Sequence, residues 1–414
     1  MKKTVLSIQH LLAMFGSTVL VPILTGFNPS VAIFCAGIGT LIFHFCTGGK
    51  VPVFLGSSFA FIPLILAVKE AFNGDLAYAQ GGIIVAGLIY VMLSFVIKLV
   101  GVDKIKKYFP PQVTGAMIAV IGLNLLPTAF DMASNHMIIA SITLVIALII
   151  NNFGKGFIKQ LGILIAVIIG YILSLVLGVV DTTTIAQVSL FEIPKFTLPK
   201  FSLEAIVIIA PVVLAVFMEH IGDMTTNGAV VGKNFLENPG LNKTLLGDGL
   251  ATIVAGFLGG PANTTYGENT AVLALTKNYD PSLLRRTAIF AICLSCIGKF
   301  GGFLQSIPQA VMGGISILLF SMITLVGVKT VKDSECIKNK KNIIIIAAIM
   351  IIGLGTTYLS NKGIVIGIPV TPDIKITGLS LAAIVGIVLN VLLNNTSTDL
   401  KEDEKSVKPR TTTA

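Results

Sequence analysis

Two acidic side chains stand in a stretch whose hydrocarbon surroundings would normally exclude them. Glu219 lies near the middle of an apolar run at residues 206–231, and Asp223 follows one helical turn later on the same face. A charged carboxylate at the centre of a membrane helix costs at least ~3 kcal/mol. Because two close carboxylates in a low-dielectric site do not both ionise easily, one should hold a proton at neutral pH. The pair is a candidate proton carrier, and a structural hydrogen bond between helices is the competing interpretation for Glu219.

A third acid, Glu268, follows a break in the apolar pattern. Residues 259–271 read Gly-Gly-Pro-Ala-Asn-Thr-Thr-Tyr-Gly-Glu-Asn-Thr-Ala, and the glycines and the proline end any helix that enters them. The apolar run after Glu268 has about ten residues, which is roughly 15 Å of helix or half a bilayer. We therefore predict an extended crossing and then a half-helix whose N-terminal N–H groups lie at mid-membrane depth. Irregular backbone at that depth needs surrounding protein or a wet cavity, so this stretch predicts a binding site.

The composition is typical of a polytopic helical membrane protein. The 414 residues are 54% hydrophobic and only 12% charged, with a mean hydropathy of +0.91, whereas soluble domains carry about twice that charged fraction. The net charge of +9 comes from basic residues in the loops between apolar runs, which argues for membrane topology and against a nucleic-acid partner. Cys293 and Cys296 have the spacing of a metal knuckle but lie in an apolar helix without a second pair. We therefore expect no metal and no cofactor.

The hydropathy pattern predicts an all-α fold with fourteen transmembrane segments. They begin near residues 4, 30, 53, 80, 110, 136, 157, 206, 245, 264, 284, 307, 342 and 377, and short extended strands break the third and the tenth. Alternate loops are rich in lysine and arginine, as at residues 104–107 and 329–341, so both termini should face the cytoplasm. The bilayer is thus an expected partner, and the polar tail at 394–414 is expected to be disordered.

The chain also repeats itself in order. The matching pairs are Gln9-His10 and Glu219-His220, Gly39 and Gly249, Gly56 and Gly267, and Pro111-Gln112 and Pro308-Gln309. They predict two halves of seven spans each, and an odd number of spans inverts the second half in the membrane. Secondary transporters use this plan and bind substrate near the midplane, between the two broken segments. The first-half break begins at Gly48 and ends at Phe59.

Three further side chains could contribute chemistry. His10 is a candidate for a functional role or for neutral packing within the first span. Phe59 starts the first half-helix, where it could stack on a flat ligand or simply belong to the core. Asp248 lies in a Gly-Asp-Gly sequence similar to that of a membrane aspartyl protease, but Leu245 occupies the position of a required glycine. The absence of a nucleophile–base pair argues against an enzyme.

The expected lining of the site restricts the ligand. Three acids without a buried arginine argue against an anion, since carboxylates accept hydrogen bonds and helix N-termini donate them. A neutral planar molecule that alternates N–H donors with C=O acceptors and has an aromatic face fits these groups. A nucleobase is such a molecule.

Four segments together resemble the nucleobase–ascorbate transporter family, most closely its bacterial uracil permeases. They are Gln9-His10, the Gly-Ser-Ser-Phe-Ala-Phe sequence of residues 56–61, Glu219-His220, and residues 268–277. The resemblance covers nearly the whole chain, from about Ser7 to the last span. It implies uracil import by proton symport across the bacterial cytoplasmic membrane, with H+ as the coupling ion and pairing into a homodimer.

The resemblance also implies a domain plan and a set of site residues. Residues 1–108 and 201–305 (spans 1–4 and 8–11) would form a core domain, and residues 109–200 and 306–393 (spans 5–7 and 12–14) a gate domain. The implied substrate contacts are Phe59, Glu219, Gly267 and Glu268, with Tyr266 adjacent, and the implied proton-coupling residues are Glu219, Asp223 and His10. In this family a glutamate at the position of Glu268 goes with uracil. Asp223 stands where some uracil permeases have a histidine, and Ala271 replaces a usual glycine, so coupling and substrate range can differ here.

Two other functions remain open at this point. A carrier of the same family for purines such as xanthine or uric acid would use the same fold. An anion exchanger of related architecture would need a basic or uncharged site instead of three acids.

Overall fold

The computed structural model describes residues 2–360, 362–370 and 375–394, and these residues are mostly helical. The first half contains α1 (Lys2–Thr25), α2 (Pro29–Cys46), β1 (Leu55–Ser57), α3 (Ile62–Ala71), α4 (Ala77–Val100), α5 (Val102–Tyr108), α6 (Pro111–Ser134), α7 (Met137–Phe153), α8 (Gly156–Gln160), α9 (Gly162–Val176) and α10 (Thr183–Gln187). A 3-10 turn at Phe59–Phe61 joins β1 to α3.

The second half repeats much of this order. It contains α11 (Leu203–Ile209), α12 (Val213–Val231), α13 (Leu241–Leu258), β2 (Asn263–Thr265), α14 (Gly267–Thr276), α15 (Pro281–Ser295), α16 (Gly298–Gln305), α17 (Gln309–Asp333), α18 (Lys340–Ser360), β3 (Ile368–Pro369), β4 (Lys375–Ile376) and α19 (Gly378–Asn394). Of the predicted disordered tail, only Asn394 is described, as the last residue of α19, and the rest lies outside the described residues.

The long helices are apolar enough to cross a membrane. In the described part of the chain seven helices reach the necessary length and hydropathy, and three shorter apolar helices accompany them. Their outward side chains are large and apolar, such as Phe45, Leu99 and Ile351, as expected for contact with lipid. The helix starts agree with the predicted span starts to within a few residues, except at the third span, where a strand comes first and the helix begins at Ile62. The chain is therefore an integral membrane protein, while the number of crossings stays a prediction.

Small residues bring the helices into close contact. A Cβ atom on Gly115 of α6 would lie 2.8 Å from the carbonyl oxygen of Gly327 on α17, and one on Gly327 would lie 2.4 Å from the amide of Ala119. Membrane helices gain little from the hydrophobic effect against one another, so close van der Waals packing of this kind holds them together.

The extended segments predicted at both breaks are present, and they pair with each other. β1 and β2 form an antiparallel ladder in which Gly56 faces Thr264. At the second break Gly259 takes a left-handed conformation (φ +86°) that ends α13, and Pro261 follows. The pairing satisfies backbone groups that would otherwise be stranded away from water.

Equivalent threonines on α2 and α13 support the two strands. The Thr40 hydroxyl accepts a hydrogen bond from the Leu55 amide at 2.9 Å. The Thr252 hydroxyl accepts from the Asn263 amide at 3.3 Å and donates to the Asn263 carbonyl at 3.2 Å. Each strand is thus fastened to the long helix that precedes it by a buried hydroxyl, which replaces the water that the backbone lacks.

Candidate functional site

The N-terminus of α14 opens into free space. Gly267, its first residue, is exposed although Tyr266 before it and Asn269 two residues after it are buried, and a Cβ atom on Gly267 would meet no atom within 4 Å. No side chain caps the helix at Tyr266, so its first N–H groups remain available as donors. Glu268 follows in the first turn and accepts a short hydrogen bond from the Ser17 hydroxyl of α1. This helix start therefore offers both donors and a carboxylate acceptor to a ligand.

A polar stripe on α12 runs along this helix start. Glu219, Asp223 and Asn227 follow one another at intervals of four residues, so they share one helical face. Asp223 accepts a hydrogen bond of 2.8 Å from the Thr265 hydroxyl in β2. Asn227 donates one of 3.0 Å to the Thr270 hydroxyl in α14. The stripe thus contacts the second break on both sides of Gly267.

Glu219 stands one turn before Asp223 on the same stripe. It is half-buried, and its Oε2 atom has no hydrogen-bond partner in the described part of the chain. A carboxylate oxygen in protein surroundings needs a donor, because an unpaired buried polar atom is costly. Glu219 is therefore placed as an acceptor that a ligand or a proton could satisfy.

The first break contributes an aromatic side and a supporting carbonyl. Phe59 is buried, and its ring lies edge-to-face against Phe320 of α17, with centroids 5.8 Å apart at 79°. The Tyr266 hydroxyl donates a hydrogen bond of 2.9 Å to the Ser57 carbonyl, and its ring lies against Gly56. Tyr266 therefore ties the two breaks together from within the core.

His10 joins the same region through Asn269. The Asn269 amide nitrogen lies 3.2 Å from His10 Nδ1 and donates to the His10 carbonyl at 3.1 Å. His10 is fully buried, and its Nε2 atom has no partner among the described residues. The structure thus connects His10 to the residue that follows Glu268, which a chain separation of 259 residues does not suggest.

Most of the predicted site residues come together. The paired breaks and α12 bring Asp223, Tyr266, Gly267 and Glu268 to one location, with Glu219 on the same stripe as Asp223. Phe59 lies in the 3-10 turn after β1, and its ring contacts the Phe320 ring on α17 instead of these residues. Their roles in binding and coupling remain predictions.

Two sets of polar contacts made by α12 were not predicted, those of His220 and those of Asn227. His220 Nδ1 lies 2.9 Å from Asp248 Oδ2 of α13, and His220 Nε2 lies 2.9 Å from the Thr244 hydroxyl. Asp248 was considered only as a protease residue, and this contact gives it a structural partner. The signal in the sequence was a histidine and an aspartate in two apolar runs, but their pairing depends on helix packing. Asn227 was missed because an isolated amide in a helix has no recognisable motif.

One ion pair outside the membrane-spanning segments links the halves of the chain. Lys3 Nζ lies 2.8 Å from Asp280 Oδ2, so the start of α1 is joined to the start of α15. The hydrogen bond from Lys3 lowers the pKa of the Asp280 carboxyl to about 2. Asp280 also caps α15 by accepting from the Ser282 amide at 2.9 Å.

The chemistry of the site is recognition by hydrogen bonds. It combines amide donors and carboxylate acceptors beside the open start of α14, and the described residues contain no cluster of His, Cys, Asp and Glu that could hold a metal ion. These groups suit a small polar ligand with a flat face.

Comparison with known proteins connects this geometry to a family. A family model described as "Permease family" matches residues 1–362. A probable uracil permease of Pasteurella multocida (strain Pm70) is 40% identical over 403 residues, covering 95% of this chain and 94% of the relative. The uracil permease of Escherichia coli (strain K12) is 40% identical over 400 residues, covering 94% and 90%.

The fold also resembles solved structures of distant sequence. The structure of a murine anion transporter, Solute Carrier 26 family member A9, in the inward-facing state matches with a TM-score of 0.69 and 11% identity. The match covers 96% of this chain and 68% of that one. At this identity the likeness shows a shared transporter fold and carries no information on substrate.

Proposed function

The chain belongs to the nucleobase–ascorbate transporter family and is a transporter rather than an enzyme, and from this premise we propose that it imports uracil by proton symport. The open start of α14 beside Glu268 carries this proposal. Uracil presents two ring N–H donors and two C=O acceptors in one plane. The Glu268 carboxylate can accept from the N–H groups, and the free amides at Gly267 can donate to a carbonyl.

The other predicted contacts complete the binding site. Glu219 has an unpaired oxygen on the stripe that passes the break, and it would accept from a second ring N–H. The Phe59 ring would cover one face of the base, since stacking on aromatic side chains is a general mode of base recognition. Tyr266 would support the site from the core, because its hydrogen bond to the Ser57 carbonyl holds the two breaks in register.

For the coupling proton we propose Asp223 and Glu219 as carriers, with His10 as a participant. The acids are one turn apart, and Asp223 accepts a hydrogen bond from the Thr265 hydroxyl in β2. A site with several acids and a neutral substrate favours a protonated carboxyl while it is loaded. Release of the proton on the cytoplasmic side would then weaken uracil binding there and drive accumulation.

We propose fourteen spans in two inverted repeats as the frame for transport. Helices of matching length support this plan, since α2 and α13 each have 18 residues and α3 and α14 each have 10. The threonines that fasten β1 and β2 occupy corresponding helices. Core segments (1–108 and 201–305) would carry the site and move against gate segments (109–200 and 306–393). We further propose a homodimer in the bacterial cytoplasmic membrane with both termini inside.

Uptake of labelled uracil in cells that lack their own carrier tests the proposal, with empty-vector cells as the control. We expect saturable uptake that a protonophore abolishes. Competition by excess unlabelled xanthine at equal potency would instead favour the purine carrier. Uracil-independent chloride or sulfate currents would favour an anion exchanger, which three acids at the site oppose. Uptake that survives the protonophore would contradict proton coupling.

A further inference from the structure

We propose that Asn227 is a positioning residue that fixes both breaks onto the helix bearing the acids. Asn227 is fully buried on α12, two turns beyond Glu219 on the same stripe. Its amide nitrogen donates to the Thr270 hydroxyl at 3.0 Å and to the Pro52 carbonyl at 3.2 Å. Thr270 belongs to the first turn of α14, and Pro52 belongs to the segment that leads into β1. One amide therefore holds both halves of the crossing.

The two bonds act on different degrees of freedom of the site. The bond to Thr270 sets the position of α14 along α12, and therefore where its open N-terminal amides lie relative to Glu219. The bond to Pro52 holds the irregular segment that enters β1, whose carbonyl has no helix or strand partner of its own at that point. Loss of either hydrogen bond would displace the groups that contact the ligand, because a binding site works only within a narrow range of geometry.

The neighbouring polar side chains in the described part of the chain contact other groups. Asp223 accepts a hydrogen bond from Thr265, which precedes Gly267 in β2, whereas Asn227 donates to Thr270, which follows Gly267 in α14. Asn269 points to α1 and contacts His10 instead of α12. Asn227 thus connects α12 by hydrogen bonds both to the first break and to the helix side of the second. This inference rests on the proposed function only for its transport readout.

The test uses the full chain with four substitutions and one matched control. Asn227→Ala removes both bonds, and Asn227→Asp keeps the shape but removes the donors and places an acceptor against the Pro52 carbonyl. Thr270→Val removes one partner, while Thr270→Ser retains the hydroxyl and should restore the wild-type value. Asn390→Ala is the matched control, since Asn390 is a buried amide that also donates over 3.2 Å to a backbone carbonyl, that of Lys107.

We expect the KM for uracil to rise by about fivefold to tenfold in both Asn227 variants and by a smaller factor in Thr270→Val, as for the loss of buried hydrogen bonds. The amount of protein in the membrane should stay near that of the wild type. An unchanged KM in Asn227→Asp and Thr270→Val at normal protein levels would overturn the inference. If Asn227→Ala fails to accumulate, these two variants decide the question.

Hydrogen exchange on the purified protein separates this inference from the proposed function. Asn227→Ala should speed amide exchange in residues 267–271, at the start of α14, while Asn390→Ala should not. Faster exchange at residues 267–271 in Asn227→Ala, together with a wild-type protein that shows no uracil uptake, would contradict the proposed function and leave the positioning role standing. Unchanged exchange at 267–271 would overturn the positioning role, whatever the substrate.

Discussion

The two breaks share a backbone plan but differ in their side chains. Each has a three-residue strand after a long helix and before a ten-residue helix, and the strands pair with each other. Residues 48–61 contain no acid and contribute Phe59, whereas the second break carries Glu268 and contacts Asp223. The two breaks therefore share a backbone frame, and under the proposed function they would supply different parts of recognition. The first would give an aromatic surface and the second would give hydrogen bonds.

The largest effect should come from the acid at the second break. Glu268→Gln replaces one acceptor oxygen with a donor, which would face a ring N–H of uracil, so uptake should fall by at least about a hundredfold. Labelled uracil uptake, normalised to protein in the membrane, checks this. Glu204→Gln is the control, since Glu204 lies in the first turn of α11 far from the breaks in sequence. Full activity in Glu268→Gln would remove that residue from the site.

The repeat-related glycines should respond in opposite ways. Gly267→Ala adds a methyl group to open space, so the protein should fold normally but take up uracil about tenfold less because substrate volume is lost. Gly56→Ala places a Cβ 2.3 Å from the Tyr266 ring, so it should lower protein stability by about 1–3 kcal/mol. Both variants should be measured by size-exclusion chromatography, thermal unfolding and uracil uptake. Equal loss of stability in both would argue that Gly267 does not border a cavity.

The aromatic side of the site should affect affinity without abolishing transport. Phe59→Ala should raise the KM for uracil by about tenfold, since stacking of a base on an aromatic ring is worth about 1–3 kcal/mol. Phe59→Tyr should retain most of the affinity. Because Phe59 also packs on Phe320, a Phe320→Leu variant tests whether the loss comes from packing between the helices. The same KM change in Phe320→Leu would assign the effect to packing.

Proton coupling should depend most strongly on the acids of the second half. Wild-type uptake should fall as external pH rises, because fewer protons are then available to load the carrier. Asp223→Asn cannot exchange a proton at that position, so its pH profile should be flatter and its uptake lower by about threefold or more. Initial rates between pH 5 and 8 measure this. A profile for Asp223→Asn that parallels the wild type would exclude Asp223 from coupling.

The smallest effect should come from the ion pair that joins the halves outside the membrane. Asp280→Asn keeps an N-cap for α15 but loses the charge partner of Lys3, so stability should drop only slightly because the pair is largely solvated. The folded pKa of Asp280, about 2, is below the ordinary value of about 4, so its contribution exists above pH 4 and is lost as pH falls through 2. Thermal unfolding of the solubilised wild type and of Asp280→Asn should show that their stabilities converge as the pH falls from about 4 to about 2.

The sequence predicted local features such as the breaks and α14, but not the contacts between residues that are far apart in the chain. Glycine, proline and the change from apolar to polar residues located both breaks, and the short apolar run predicted α14 to its last residue, Thr276. The strand pairing of Gly56 with Thr264, the His220–Asp248 contact and the amide of Asn227 were not predicted. Each joins residues far apart in the chain, or on different helices, whose contact depends on rotation and depth of packing that hydropathy does not encode.

A structure of the purified protein with uracil bound tests the central claim most directly. We predict a planar ligand at the open start of α14, with its N–H groups toward Glu268 and Glu219, a carbonyl toward the Gly267 amide, and one face on Phe59. A ligand bound elsewhere, or Glu219 and Glu268 facing separate compartments with the break closed and dry, would contradict the account.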